Sequence, residues 1–162
     1  MTAHRAVVEA GPGRIRRLCC GTDTVDDDTR ETFSAALDAI DDPVALVHEH
    51  PVAVDSLWRA TLRSLECGHS DGMLVLHPSW WPASRVEVVR AASDDIVLRP
   101  RSWLLRQASP DASVVVEIAD AMVVVAGAAV VAVPRRTGGF GKEETADEVV
   151  GAITGMTPAG AV

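Results

Sequence analysis

The chain has 162 residues, of which 48% are hydrophobic, and a formal net charge of −8. This length suits one domain of common size, and the acidic balance argues against nucleic-acid binding, which needs a basic face. The longest apolar run, 121–133, is shorter than the about 20 residues that a membrane helix needs, so we expect no direct membrane insertion.

The cysteines, Cys19, Cys20 and Cys67, match neither a disulfide framework nor a CxxC pair. The N-terminal segment also lacks the apolar core of a signal peptide. The sequence therefore indicates reduced thiols, no metal site and a cytoplasmic location.

Taken in chain order, the first half predicts a hairpin followed by alternating helices and strands. Strands at 5–9 and 14–19 are separated by turn residues, which favours an antiparallel hairpin. Helical spacing of apolar residues after acidic positions 26–28 predicts an amphipathic helix. A buried strand at 44–47 and an amphipathic helix over 54–65 follow.

The second half predicts two further strand–helix pairs and a change of pattern. A strand at 73–76 leads into a proline-started helix over 82–92, and a strand at 96–98 into a short helix over 103–107. β-branched runs then predict a meander. They occupy 114–118, 122–126 and 130–133, before a flexible linker at 135–141 and a weak helix over 143–153.

This order predicts an α/β fold, a mixed sheet flanked by helices, with an N-terminal β-hairpin and a C-terminal β-meander. It resembles the first lobe of the actin and Hsp70 class of ATPases, a ribonuclease H-like lobe. Segments 6–13 and 114–120 stand where that class has its phosphate loops. The resemblance implies one lobe over 1–134, with 135–162 as linker and tail, the start of a second lobe cut away.

Both phosphate loops depart from the pattern of that class. Glu9 and Glu117 replace aspartates, and Pro12 removes an N–H donor. Arg14 stands where a small hydroxyl residue is expected, and the side chains of 118–120 replace glycines and a threonine, so they would crowd a phosphate. Loss of ATP hydrolysis is therefore favoured.

If nucleotide binds, the resemblance assigns its contacts to Glu9, Gly11, Gly13 and Glu117, with no catalytic residue identified. The favoured interpretation is a pseudo-ATPase without a cofactor. The alternative is an Mg-ATP-binding ATPase in which the two glutamates do the work of the usual aspartates.

The segment HPSWWPASRVEVVR at 77–90, followed by VLRPRSWLL at 97–105, resembles the actinobacterial type VII secretion-associated protein family. This resemblance implies a non-catalytic protein-interaction component whose partners belong to that secretion system. Trp80, Trp81 and Arg85 are the partner-binding candidates, since tryptophan is enriched in interface hot spots. Core anchoring of the two tryptophans is the alternative.

Two further possibilities stay open in the sequence. His48 and His50 could chelate a metal with Glu49 flanking them, or with His69 and His77 completing the set, although solvated or hydrogen-bonded histidines are the simpler interpretation. The apolar meander, around 122–126, could mediate self-association as a structural domain.

Overall fold

The computed structural model describes residues 4–20, 26–68, 70–136 and 139–156, and these residues form nine strands and five helices. In chain order they are β1 (His4–Gly11), β2 (Arg14–Arg17), α1 (Asp27–Asp38), β3 (Val44–Val47), β4 (His50–Ala53), α2 (Val54–Ser64), β5 (Ser70–His77), α3 (Ala83–Arg90), β6 (Ile96–Pro100), α4 (Arg101–Ala108), β7 (Val115–Ile118), β8 (Met122–Ala126), β9 (Val130–Pro134) and α5 (Gly139–Met156).

The strands form a four-stranded sheet in the order β2-β1-β5-β6, a β3-β4 pair and a three-stranded β7-β8-β9 sheet. Strand β1 runs antiparallel to β2 and parallel to β5, so the larger sheet is mixed. The predicted α/β class, the N-terminal hairpin and the C-terminal meander are confirmed.

The described chain divides into two compact units. Unit 1 comprises residues 1–77 and 81–99, and unit 2 comprises residues 78–80 and 100–162. This division runs through the predicted lobe of residues 1–134, and the assignment of lobe and tail stays a prediction.

The core of unit 1 is built on the small side chains of β1 and the apolar stripe of α2. Ala6, Val8 and Ala10 alternate along β1 and are fully buried, as expected for one face of a strand. The buried stripe of α2 confirms the helical spacing predicted for it. Its members are Val54, Leu57, Trp58, Thr61 and Leu62.

Helix α1 begins where its sequence predicts. Asp26 precedes the first turn, and its Oδ1 accepts a hydrogen bond from the Thr29 N–H at 2.7 Å. Asp27 and Asp28 follow in the first turn, where the helix dipole favours negative charge.

The strand at 44–47 is present, but the prediction that it is buried is wrong. Leu46 is 69% exposed, because β3 pairs with β4 in a separate hairpin. His48 and Glu49 form the turn with φ of 48° and 65°. Such turns usually carry Asn-Gly, so the sequence analysis missed both the turn and β4.

Unit 2 contains the meander, with β8 as its buried central strand, and helices α4 and α5. The prediction of a flexible linker at 135–141 is wrong for residues 139–141, because α5 begins at Gly139. Residues 137 and 138 of that linker lie outside the described part of the chain. Arg136 pairs with Glu144 and lies 3.6 Å from Glu148, which ties the chain before α5 to the helix. Among the described helices, none has the length and hydrophobicity that crossing a bilayer requires.

Candidate functional site

The first candidate phosphate-loop carboxylate is buried and paired. Glu9 lies opposite Arg16 in the β1–β2 ladder. Its side chain is 8% exposed, and its Oε2 accepts a hydrogen bond from Arg16 Nε at 2.5 Å. Arg16 therefore neutralises the Glu9 carboxylate, the group to which the resemblance assigns cation binding.

Gly11 and Gly13 belong to the turn of the same hairpin. Gly11 pairs with Arg14 in the ladder, which leaves Pro12 and Gly13 as the two central turn residues. Gly13 has φ of +75°, and nothing lies within 4 Å of a Cβ built on it. Proline followed by a glycine with positive φ suits a type II turn. The geometry of the turn by itself therefore accounts for Pro12 and Gly13.

The second candidate carboxylate, Glu117 on β7, belongs to unit 2 and is 3% exposed. Its Oε2 accepts a hydrogen bond from the Ser79 N–H at 3.3 Å, and its Oε1 lies 3.6 Å from Arg101 Nε. Ser79 Oγ in turn accepts the Ser102 N–H at 2.9 Å. Glu117 therefore connects residues 78–80 and the start of α4 with the meander.

Trp81 is anchored in the core of unit 1. Its ring stacks on His77, with centroids 6.0 Å apart, and meets Trp58 edge to face at 6.4 Å. Trp58 is fully buried and Trp81 is half-buried. This placement favours the core-anchoring alternative for Trp81. Trp80 is half-buried in unit 2, so the structure places the two tryptophans in different units.

Arg85, the third partner-binding candidate, forms a bidentate ion pair with Asp41. Its Nε donates to both carboxylate oxygens, at 2.9 and 3.1 Å, and its Nη2 also reaches Oδ2. These hydrogen bonds hold the pKa of the Asp41 carboxyl below its ordinary value and raise the pKa of Arg85. Arg85 therefore links α3 to the residues after α1.

Aliphatic side chains are exposed at the edge of the meander. On β7, Val116 is 36% exposed and Ile118 is 67% exposed. We call these two residues the aliphatic edge. The predicted contact segment 122–126 is the central strand of the meander, where Met122 is half-buried and 123–126 are buried.

The histidines that were considered as metal ligands have other surroundings. His48 Nδ1 lies 3.0 Å from Glu31 Oε2, and the backbone N–H of His48 donates to Glu31 Oε1 at 2.9 Å. His77 is buried against Trp81, and His69 lies outside the described residues.

A different group, in unit 1, does converge, and the sequence analysis missed it. His4, Cys19, Cys20 and Cys67 each offer one ligand atom, and the four atoms lie within 4.8 Å of one another. The Cys19 and Cys67 sulfurs are 3.7 Å apart, and Cys20 Sγ is 2.9 Å from His4 Nε2. We call these four residues the thiol–imidazole cluster.

Part of this cluster could be predicted from the hairpin register. Val8 pairs with Arg17, and continuing this antiparallel register past Arg17 places Cys20 opposite residue 5, next to His4. Cys67 could not be placed this way, because it joins the cluster only when β5 pairs with β1, with His4 opposite Ser70.

The thiols of the cluster differ in acidity. Burial raises the pKa of Cys19, but hydrogen bonds from the Val7 N–H and from the His4, Cys67 and Cys20 side chains outweigh it and lower the pKa to about 7. The hydrogen bond with Cys20, together with burial, raises the pKa of Cys67 to about 11. Cys19 is therefore the more readily deprotonated of these two thiols.

Comparison of the chain with protein-family models, with curated proteins and with solved structures finds no match. The functional assignment therefore depends on the residues and their geometry.

Proposed function

We propose that this chain is a non-catalytic domain of the actin/Hsp70-like kind that acts as a protein-interaction component associated with type VII secretion. The observation that supports the proposal is that each candidate phosphate-loop glutamate is buried with an arginine of its own unit within ion-pair distance. Glu9 is paired with Arg16, and Glu117 lies beside Arg101.

Nucleotide hydrolysis in this class requires carboxylates that hold a hydrated Mg²⁺ ion near the phosphates. The Glu9 and Glu117 side chains are 8% and 2% exposed, respectively. A cation approaching either carboxylate would be repelled by the adjacent guanidinium and would have to displace it. Both features favour a structural role for the glutamates.

The order of elements and the mixed sheet support the actin/Hsp70-like part of the proposal at the level of architecture. Strand β1 lies between an antiparallel and a parallel neighbour, after which helices and strands alternate. A fold of this kind hosts many activities. The secretion role therefore depends on the resemblance of 77–90 and 97–105.

The aliphatic edge gives the proposal a candidate contact surface. Among the described residues, β7 is an outer strand of the three-stranded sheet and exposes Val116 and Ile118. Outer strands recruit other chains through backbone hydrogen bonds and side-chain pockets. We therefore assign partner binding to β7 in preference to Trp81, whose ring packs on Trp58.

The nucleotide part is tested by titrating Mg-ATP into the folded protein in a calorimeter. We expect no binding heat for the wild type, for Glu9→Gln or for Glu117→Gln. Saturable binding by the wild type that either substitution abolishes would overturn the proposal and establish the ATPase alternative.

The partner part is tested by co-purification with defined type VII secretion components. Ile118→Lys places a charge on the aliphatic edge and should reduce recovery of the bound component at least tenfold. Val150→Lys, at a 60% exposed position on α5, is the matched control and should bind like the wild type. Equal recovery with both variants would show that the edge is not the contact.

Self-association is the second candidate that the aliphatic edge favours. Sedimentation velocity over a range of protein concentrations separates it from binding to another protein. A dimer that Ile118→Lys dissociates, with no secretion component bound, would replace the partner proposal with a homotypic one.

A further inference from the structure

The thiol–imidazole cluster draws its members from three separate parts of unit 1. His4 opens β1, Cys19 and Cys20 follow β2, and Cys67 lies between α2 and β5. Cys19 and Cys67 are 48 positions apart in the chain. The folded sheet therefore brings together every cysteine of the chain and one of its five histidines.

The backbone at Cys20 supports convergence of the two adjacent thiols. Consecutive side chains of an extended strand point to opposite faces, so neighbouring cysteines would normally diverge. Cys20 instead has φ of 57°, a left-handed conformation that non-glycine residues adopt at a cost in free energy. With this conformation, both Cys19 and Cys20 reach the cluster, and backbone strain of this kind concentrates at functional sites.

The distances suit a tetrahedral metal ion. Zinc–sulfur bonds of about 2.3 Å place two sulfur ligands about 3.8 Å apart in a tetrahedron, and the Cys19 and Cys67 sulfurs are 3.7 Å apart. The Cys20 sulfur and His4 Nε2 are 2.9 Å apart. Binding a metal between them would require these two atoms to move apart by less than about 1 Å.

The chemical nature of the four ligand atoms indicates which metal would bind. Three thiolates and one imidazole form one of the established structural zinc sets, and soft sulfur ligands disfavour Mg²⁺ and Ca²⁺. We propose that His4, Cys19, Cys20 and Cys67 bind one Zn²⁺ ion as a closed structural Cys₃His site that ties β1, the end of β2 and the segment before β5 together.

Two neighbouring groups fit this site. The Val7 N–H donates to Cys19 Sγ at 3.4 Å, a contact that orients a metal-binding sulfur. Three thiolates around Zn²⁺ leave one negative charge, and Arg17 lies close by, since its Nη1 donates to the Glu66 carbonyl oxygen at 3.1 Å. This hydrogen bond places the positively charged guanidinium beside the residue that precedes Cys67.

The first measurement is the metal content of protein purified with a non-chelating phosphine reductant, for which we expect about one zinc per chain. Protein stripped of metal is then titrated with Co²⁺. A thiolate-to-cobalt charge-transfer absorption that zinc abolishes would establish cysteine ligation. Zinc should also raise the unfolding temperature of the stripped protein, because an ion that binds only the folded state stabilises it.

His4→Ala and Cys20→Ser test the ligand set at half-buried and exposed positions, where folding is expected to survive. Each should weaken zinc binding at least about 100-fold in chelator competition and remove the thermal shift. His50→Ala, an exposed histidine on β4, is the matched control and should bind zinc like the wild type.

Three results would overturn the zinc site. They are a cobalt complex without thiolate absorption, unchanged zinc affinity in both ligand variants, or a Cys19–Cys67 disulfide in protein purified without oxidant. Each readout is independent of nucleotide and partner binding, so the proposed function and the zinc site can fail separately.

Discussion

The Trp81 ring meets the fully buried Trp58 ring edge to face, with centroids 6.4 Å apart and planes at 88°. His77 stacks on Trp81 with an interplanar angle of 12°. Edge-to-face pairs add about 0.5–1.5 kcal/mol beyond the burial of apolar area. The corner between β5 and α3 is therefore anchored to α2 through aromatic contacts.

We predict that Trp81→Ala lowers the free energy of unfolding by about 2–3 kcal/mol, somewhat less than is typical of a fully buried tryptophan. Trp81→Phe keeps an aromatic ring and should lose at most about 1.5 kcal/mol. Urea unfolding followed by circular dichroism measures both variants without relying on tryptophan fluorescence. Wild-type stability in Trp81→Ala, combined with lost partner binding, would instead identify Trp81 as an interface residue.

The Glu9–Arg16 pair gives a second prediction. Arg16→Gln leaves a buried carboxylate without its guanidinium partner, so we expect a loss of about 1–3 kcal/mol in unfolding free energy. Arg14→Gln, an exposed arginine on the same strand, is the matched control and should change stability by less than about 0.5 kcal/mol.

A double-mutant cycle separates the pair from its surroundings. Glu9→Gln removes the buried charge, so adding Arg16→Gln to it should cost much less than Arg16→Gln alone. Additive losses in the double variant would mean that the two side chains do not interact in solution, and this would remove the main support for a structural role of Glu9.

The sequence predicted most elements because their signals are local. The α2 stripe and the runs of the meander follow simple periodicities, so their positions could be predicted within a few residues. The β4 strand was missed because His48 and Glu49 form a left-handed turn without glycine, and only pairing with β3 makes residues 50–53 a strand.

The candidate sites were harder to predict because they depend on contacts between distant residues. The sequence identified Glu9 and Glu117 as unusual, but their arginine neighbours are assigned only by the folded chain. Cys67 has no spacing signal that connects it to Cys19, since the parallel pairing of β1 with β5 brings the segments together. Local periodicity carries no information on such pairings.

The β1–β5 ladder contains an irregularity that yields a third prediction. His4 pairs with Ser70 and Ala6 with Met73, so β5 holds one extra residue over this interval. Gly72 lies in this bulge with φ of +82°, and a Cβ built on it would be 2.9 Å from the Asp95 carbonyl oxygen. Glycine adopts such a left-handed conformation without the steric cost that a Cβ would add.

Gly72→Ala should therefore destabilise the protein by about 2 kcal/mol or more, because it combines a left-handed alanine with a clash against backbone. Gly13 has a similar φ of +75° but nothing within 4 Å of its built Cβ, so Gly13→Ala should lose only about 1 kcal/mol. Denaturant unfolding measures the loss of unfolding free energy in both variants, and the difference between the two losses gives the cost of the clash with Asp95. Equal losses would show that the Asp95 carbonyl moves aside freely.

The Asp41–Arg85 ion pair predicts a specific pH dependence. Hydrogen bonds from Arg85 hold the pKa of Asp41 below its ordinary value, so folding favours the charged carboxylate. The stabilisation is fully present above the unfolded-state pKa of Asp41 and is lost as the pH falls through the lower folded-state pKa. Asp41→Asn should therefore lower the unfolding temperature near neutral pH, and the difference from the wild type should shrink on acidification.

Thermal unfolding of wild type and Asp41→Asn between about pH 6 and pH 3 measures this difference. Because the pair is solvent-exposed, added salt should reduce the difference at neutral pH as well. Ser84→Ala, at an exposed position beside Arg85 on α3, provides a control whose offset from the wild type should stay constant over this pH range. An Asp41→Asn offset that stays constant from neutral to acidic pH would mean that the ion pair contributes nothing to folding.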